Sequence, residues 1–182
     1  MSGALSHIRV LDLTRVLAGP WAAQVLADLG AEVIKIERPG TGDDTRQWGP
    51  PFTQKADGSR GDAAYFLCAN RGKKSVTLDL RQSEDQARFR ELVKTADAVA
   101  NNLRGDQPGK LGIDYPSLKD VNPAIVCAHL SAYGRGNSRA GWPGYDYLMQ
   151  AEAGFLHLTG EPGTPPSRMG LSIIDYMTGI TM

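Results

Sequence analysis

Much is missing from this 182-residue sequence, and each absence narrows the reading. There are two cysteines, Cys68 and Cys127, too few for a disulfide framework or a cysteine-based metal centre. They are expected as buried thiols in a reducing compartment. No apolar run approaches the roughly 20 residues of a membrane span. Met1–Val10 holds no apolar core of a secretion signal, so the cytoplasm, or an organelle matrix, is the expected location. An excess of one charge is missing too: 20 basic and 20 acidic residues give a formal net charge of zero. Such a balance provides no bulk attraction to nucleic acid or to an acidic membrane surface, and neither is an expected partner. No G-x-S-x-G, Walker A or CxxC motif occurs. His7 and His157 have no neighbours that form a metal site, and no metal is expected. Internal repeats and low-complexity segments are also lacking.

What is present is organised around Ile8–Asp43. Ile8, Val10, Leu11 and Leu13 form an apolar run suited to a buried parallel strand. Gly19-Pro20 breaks it. Trp21, Val25, Leu26 and Leu29 recur at helical spacing, and Gly30 supplies a stop. Val33, Ile34 and Ile36 make a second strand. A strand–helix–strand unit of this kind places ligands beyond the carboxyl ends of its strands, here Thr14–Pro20 and Glu37–Asp43. The turn at Arg15–Pro20 has only Gly19, so it does not carry the G-x-G-x-x-G dinucleotide fingerprint. Glu37 is placed like a ribose-binding acid, but a lone acid after a strand is commonly an ordinary solvated residue. Arg38 is either a phosphate ligand or surface.

Residues 44–62 lack periodicity and read as a long surface loop. A short helix is expected over Ala63–Ala69 and a strand over Ser75–Leu80. A helix capped by Ser83-Glu84-Asp85 is expected to run to about Thr95, with Phe89, Leu92 and Val93 inward. A strand within Ala96–Leu103 puts Asn102 on the ligand side. A short helix around Leu118, a buried strand over Ala124–Ser131, a helix within Gly144–Gly160 with Tyr147, Leu148, Ala151 and Phe155 on one side, and a helix over Leu171–Met182 complete the chain. His129, in the Ala124–Ser131 strand, reads as a satisfied core histidine. The alternation of strands and helices predicts an α/β fold with a Rossmann-like open, mostly parallel sheet flanked by helices. The 41% hydrophobic content suffices for a core of one domain.

One acid stands out. Asp175 lies among Ile173, Ile174, Tyr176 and Met177. It is either the exposed face of an amphipathic helix or a partly desolvated carboxylate that acts as nucleophile or base. Arg104-Gly105-Asp106 matches a cell-adhesion tripeptide and is read as chance.

Taken together, VLDLTRVLAGPWAAQVLADLGAEVIKIERPGTGDDTR, NRGKKSVTLDL, PGKLGIDY, PGYD and GLSIIDYMTG resemble the class III CoA-transferases. The resemblance runs over the whole chain. It implies that residues 1–182 are a CoA-binding large domain, and that the family's small domain and C-terminal segment lie outside this chain. The G-x-x-x-x-D-x-x-x-G setting matches Gly170–Gly179 and selects Asp175 as the nucleophile. The family's CoA contacts fall on Arg15, Val16, Arg38, Leu78, Arg81, Asn102, Leu103 and Lys110. Tyr145 falls near the active site, in Gly144-Tyr145-Asp146, where related α-methylacyl-CoA racemases have G-H-D. A tyrosine of ordinary pKa near 10 is a poor base at neutral pH, which favours transferase over racemase. Arg15 stands where relatives often have histidine, Leu17 where they have glutamine, and Pro143 where some have lysine. The implied reaction moves CoA from an acyl-CoA thioester to a carboxylic acid through an aspartyl anhydride and thioester, with CoA as substrate and no cofactor. The implied assembly is an interlocked homodimer. A racemase-type isomerase and a non-catalytic CoA-binding module are the competing readings. The carboxylate of Asp175 is expected at the mouth formed by residues 14–20 and 37–43.

Overall fold

The computed structural model describes residues 3–182. Its centre is a parallel sheet of β1 (Arg9–Asp12), β2 (Glu32–Glu37), β5 (Lys74–Thr77), β6 (Ala98–Asn101) and β7 (Val126–His129), in the order β5-β2-β1-β6-β7. Parallel neighbours require crossovers. Helix α1 (Ala18–Asp28) joins β1 to β2, α3 (Ser83–Val93) joins β5 to β6, and α4 (Tyr115–Leu118) lies between β6 and β7. The chain builds outward from β1 to β5, then returns to add β6 and β7 on the other side. The switch point therefore falls between the carboxyl ends of β1 and β6, where such sheets bind ligands. The expected fold class is the one found.

Strand side chains alternate between the two faces. Leu11, Ile34, Ile36 and Val99 bury against Phe89, Val93 and Leu118 on the α3 face. Val10, Val33 and Ala100 pack with Ala23 on the α1 face. That alternation also turns Asp12 and Lys35 toward the α1 face, where they are paired in register on adjacent strands.

Several elements differ from the sequence reading. Residues 44–62 are not one loop. They hold a 3-10 helix, Asp44–Gln47, and an antiparallel hairpin of β3 (Phe52–Gln54) and β4 (Arg60–Ala63). Helix α1 begins before Gly19-Pro20, and Pro20 is tolerated because first-turn N–H groups have no intrahelical acceptor. Its buried side is Ala18, Gly19, Pro20, Ala23 and Gln24, whereas Val25 and Leu29 are exposed. The residue before α3 is Gln82, and no side chain caps that helix. Asp85 instead accepts the N–H of Asp79 at 2.8 Å. Strand β7 is an edge strand, with Val126 62% exposed. The segment after Gly144 is two short helices, α5 (Asp146–Glu152) and α6 (Phe155–Leu158), separated by Gly154 at φ +81°. Tyr147 and Leu148 face solvent. Cys68 and Cys127 are free, and Cys68 is exposed rather than buried. Helix α2 (Ala64–Cys68) follows the hairpin and α7 (Ile173–Thr181) ends the chain; among the described residues no helix is long and apolar enough to cross a membrane.

Candidate active site

The site starts where β1 ends. Asp12 is fully buried and its Oδ1 accepts the backbone N–H and hydroxyl of Thr14. Its Oδ2 pairs with buried Lys73 at 2.9 Å, and Lys73 also donates to Asn70 and to the carbonyl of Pro20. Burial lowers the Lys73 pKa more than the Asp12 charge restores it. Lys35, 1% exposed, donates to the Thr14 carbonyl at 2.8 Å and sits 3.0 Å from buried Asp43. The next residue is held from across the switch point. The Asn102 carboxamide accepts the Arg15 N–H at 2.7 Å and donates to the Arg15 carbonyl at 2.6 Å. Val16 then adopts φ +68°, and its N–H reaches Asp43 Oδ1 at 3.4 Å. Gly19 completes the turn: an added Cβ would lie 2.4 Å from the Thr14 side chain.

Beyond this turn lies a cleft of about 760 Å³ at the carboxyl ends of β1, β2, β5 and β6. Arg15, Arg38, Leu78, Arg81 and Leu103 all line it. Its apolar floor includes Leu13 and Ile36, and Arg104 adds a cation. Each arginine is met by a nearby carboxylate. Arg38 bonds Asp44 at 2.7 Å, Arg15 lies 3.8 Å from the same Asp44, Arg81 forks onto Asp79 at 2.8 Å, and Arg104 is 3.3 Å from Asp106. Hydrogen bonds from Arg81 hold the Asp79 carboxyl down at about 2. Exposed pairs of this kind are weak, so a phosphate group displaces them at little cost. An apolar-floored cleft rimmed by guanidinium groups suits a phosphate-bearing ligand with an uncharged arm.

Glu37 is not the solvated acid its sequence context indicates. It is 5% exposed, forks with Arg46, and accepts from Ser75 and from the Asp43 N–H. Burial raises its pKa, but the Arg46 hydrogen bonds prevail and bring it to about 2. Val16 and Asn102 shape the turn without lining the cleft. Lys110 pairs with Asp106 at 2.7 Å and lies in a separate surface groove with Ser83 and Arg90.

Asp175 sits in the first turn of α7, half-buried. It does not line the cleft. Its helix packs along α1: Tyr176 meets Trp21 edge-on at 5.1 Å, and a Cβ on Gly179 would lie 2.5 Å from the Ala18 carbonyl. Helix α7 therefore runs beside Ala18 and Trp21, but the Asp175 carboxylate is not found at the cleft mouth expected for it: the ionisable groups that interact with it are Asp146, Tyr65 and Tyr176. Burial, and secondarily the charge of Asp146, raise the Asp175 pKa to about 6. The Tyr65 hydroxyl is pushed up by burial and by the Asp175 charge. Tyr145 is 48% exposed and stacks on Tyr147.

Sequence reasoning missed Asp146, Gln150, Lys35 and Asp43. Asp146 Oδ1 accepts the N–H groups of Ile174 and Asp175, and its Oδ2 accepts from Gln150. Gln150, fully buried, also holds the N–H of Met169 and the carbonyl of Leu171. Only the placement of Asp146 immediately before an amphipathic stretch hinted at a capping acid. His129 is half satisfied: Asn101 donates to Nδ1 at 2.6 Å, while buried Nε2 has no partner. Among the described residues no cluster of His, Cys, Asp or Glu is arranged to hold a metal.

Fold and cleft define an α/β protein with an arginine-rimmed cleft at the switch point of a parallel sheet. The chain belongs to CoA-transferase family III, whose model matches residues 5–182. It is 49% identical over 176 residues to the succinate–glutarate CoA-transferase of Agrobacterium fabrum, covering 97% of this chain and 44% of that protein. It is 41% identical over 181 residues to the acetyl-CoA:oxalate CoA-transferase of Acetobacter aceti, covering 99% of this chain and 45% of that protein. The crystal structure of a CAIB/BAIF family protein from Brucella suis superposes with a TM-score of 0.92 at 43% identity, covering all of this chain and 47% of that one. The chain thus spans less than half the length of these relatives.

Proposed function

We propose that this chain is the CoA-binding part of a CoA-transferase that moves CoA from an acyl-CoA thioester to a carboxylic acid, with Asp175 as nucleophile. The observation that carries the reading is the desolvated carboxylate of Asp175, raised to about 6 and fixed on a helix that packs against the start of α1. The Asp175 carboxylate attacks the thioester carbonyl and expels CoA thiolate, leaving a mixed anhydride. The thiolate then attacks the aspartyl carbonyl and releases the donor acid. The acceptor carboxylate attacks the aspartyl thioester, again expelling thiolate. The thiolate finally takes the acceptor acyl group and frees Asp175. Each covalent step replaces a difficult direct exchange by an easier one.

The cleft is where Arg15, Arg38 and Arg81 would take the phosphates of CoA, with Leu78 and Leu103 against its apolar portions. The acids are small and dicarboxylic, in keeping with the succinate, glutarate and oxalate in the relatives' names. The working protein is a homodimer in the cytoplasm or an organelle matrix, and CoA is its substrate with no further cofactor. The exposed Tyr145, stacked on Tyr147, supplies no base for α-proton transfer and speaks against the racemase reading.

Incubation with succinyl-CoA followed by hydroxylamine and mass spectrometry tests this. The expected product is a hydroxamate at Asp175. Absence of any adduct there, with CoA bound, leaves the non-catalytic module as the reading. Deuterium exchange at the α-carbon without an acceptor acid points instead to isomerase chemistry.

A further inference from the structure

Val16 is β-branched and adopts φ +68°, a left-handed conformation in which its Cβ crowds the backbone. Strain of this kind persists only where the surroundings over-determine it, and it gathers at functional turns. Here the surroundings are explicit. The N–H of Thr14 goes to Asp12, its carbonyl takes Lys35, both polar groups of Arg15 are claimed by Asn102, and the N–H of Val16 faces Asp43.

Lys35 and Asp43 are the unexpected members of this set. Both are about 1% exposed, and burying an ion pair is a poor way to gain stability. Their meeting is imperfect as well. The Lys35 Nζ lies 3.0 Å from Asp43 Oδ2 yet off the hydrogen-bond direction, so that Oδ2 receives no hydrogen bond. Each member instead directs its best hydrogen bonding elsewhere. Lys35 bonds the carbonyl of Thr14, two residues before the strained position, while Asp43 Oδ1 faces the N–H of Val16 itself and also anchors Thr45 through N–H and hydroxyl. Thr45 belongs to the 3-10 helix that carries Asp44, the counter-ion of Arg38 and Arg15. One buried pair thereby links the strained turn on one side of the cleft to the arginine-bearing segment on the other.

We propose that Lys35 and Asp43 are positioning residues for the ligand: together they hold the Thr14–Val16 turn in its left-handed form, and that form sets the affinity for CoA. This rests on the CoA reading of the cleft. The alternative is a purely structural pair, whose loss would lower stability and leave the affinity of the folded protein alone.

Rescue separates the two. Asn tolerates the left-handed region far better than Val, so Val16→Asn keeps the turn without needing the clamp. The variant is expected to raise the Tm, and its own Kd for CoA is the reference against which the charge change made in it is read. Lys35→Met/Asp43→Asn removes both charges while keeping the Asp43 Oδ1 acceptor. It is expected to raise the Kd for CoA, measured by titration calorimetry, about tenfold or more when residue 16 is Val, and by a much smaller factor when it is Asn. The same penalty in both backgrounds, or no penalty in either, overturns the proposal. If the charge-free variant does not fold with Val16, the melting temperature of Val16→Asn decides, and a fall in Tm overturns the claim of strain. Failure of the unaltered chain to bind CoA overturns the reading of the cleft instead.

Discussion

Asp146 gives one carboxylate oxygen to two backbone N–H groups of a distant helix, those of Ile174 at 2.7 Å and Asp175 at 3.1 Å. This is an N-cap supplied from 29 residues away. It does two things at once: it fixes the backbone of the candidate nucleophile, and it brings a second negative charge close to it. The two effects come apart on substitution. Asp146→Asn keeps the acceptor and loses the charge, so the pKa of Asp175 falls toward the ordinary carboxylate range. Asp146→Ala loses the cap and costs about 1 kcal/mol of stability. The checks are the acid limb of the rate profile for the first and denaturant unfolding for the second.

Asp175 itself sets a pH dependence. With its pKa raised to about 6, the ionised form of this proposed nucleophile disappears as pH falls through 6, and CoA transfer is expected to fall with it. Stability runs the opposite way. A carboxyl raised above its unfolded value of 3.8 favours the folded state when protonated, so its contribution declines as pH rises from about 4 to 6. Asp175→Asn is therefore expected to melt higher than the parent at pH 7, to equal it near pH 3, and to lose at least about 10³-fold in turnover while still binding CoA. Paired melting curves and steady-state assays decide the matter.

At Gly179 helix α7 lies tight against α1, with no room for a Cβ against the Ala18 carbonyl. Gly179→Ala moves the helix carrying Asp175. It is expected to cost about 1–3 kcal/mol and most of the transfer activity. Ile180→Ala, at a position 73% exposed on the same helix, is expected to stay within about 0.5 kcal/mol of the parent. Denaturation curves of the two variants check the contrast.

The candidate ligand-binding cations divide by location. Arg38→Ala is expected to raise the KM for acyl-CoA about tenfold, with a weaker dependence on salt than the parent. Lys110→Ala leaves KM within about twofold, because its ammonium is engaged with Asp106 outside the cleft. Initial rates at two ionic strengths distinguish them.

Glu37 supports the β2 end of the cleft through Arg46. Held at about 2, it contributes stability above its unfolded value of 4.5, and this is lost as pH falls toward 2. Glu37→Gln is expected to cost about 1–3 kcal/mol at pH 7, with a smaller deficit at pH 2–3, since Arg46 loses its buried partner and keeps only the ion pair with Asp62. Urea titrations at the two pH values measure it.

The first crossover was legible because its strands are rich in Val, Ile and Leu and flank a helical pattern closed by Gly30. The hairpin at Phe52–Gln54 and Arg60–Ala63 was not, because strands of three and four residues bearing Gly, Asp and Arg show no alternation. The clamp residues escaped notice for a related reason. Lys35 interrupts β2 as an exposed lysine in an amphipathic strand would, and only the α1 helix above it makes the position interior. The stripe of Trp21, Val25 and Leu29 misled, because α1 buries its small residues against the sheet and α7, and leaves Val25 and Leu29 outside. Asp175 was found by the oddity of an acid among apolar neighbours. Asp146, its capping partner, could be located only in three dimensions.

The twin bonds joining Arg15 to Asn102 close a loop of 87 residues. Neither flank of the sheet owns the mouth; it exists only after both have assembled. A ligand that recognises it reports completed folding rather than local order, and its occupancy stabilises the whole sheet by mass action. Proteolytic nicking anywhere between those two positions, even in an exposed turn, should therefore register first as weakened coenzyme binding, before circular dichroism detects any loss of helix.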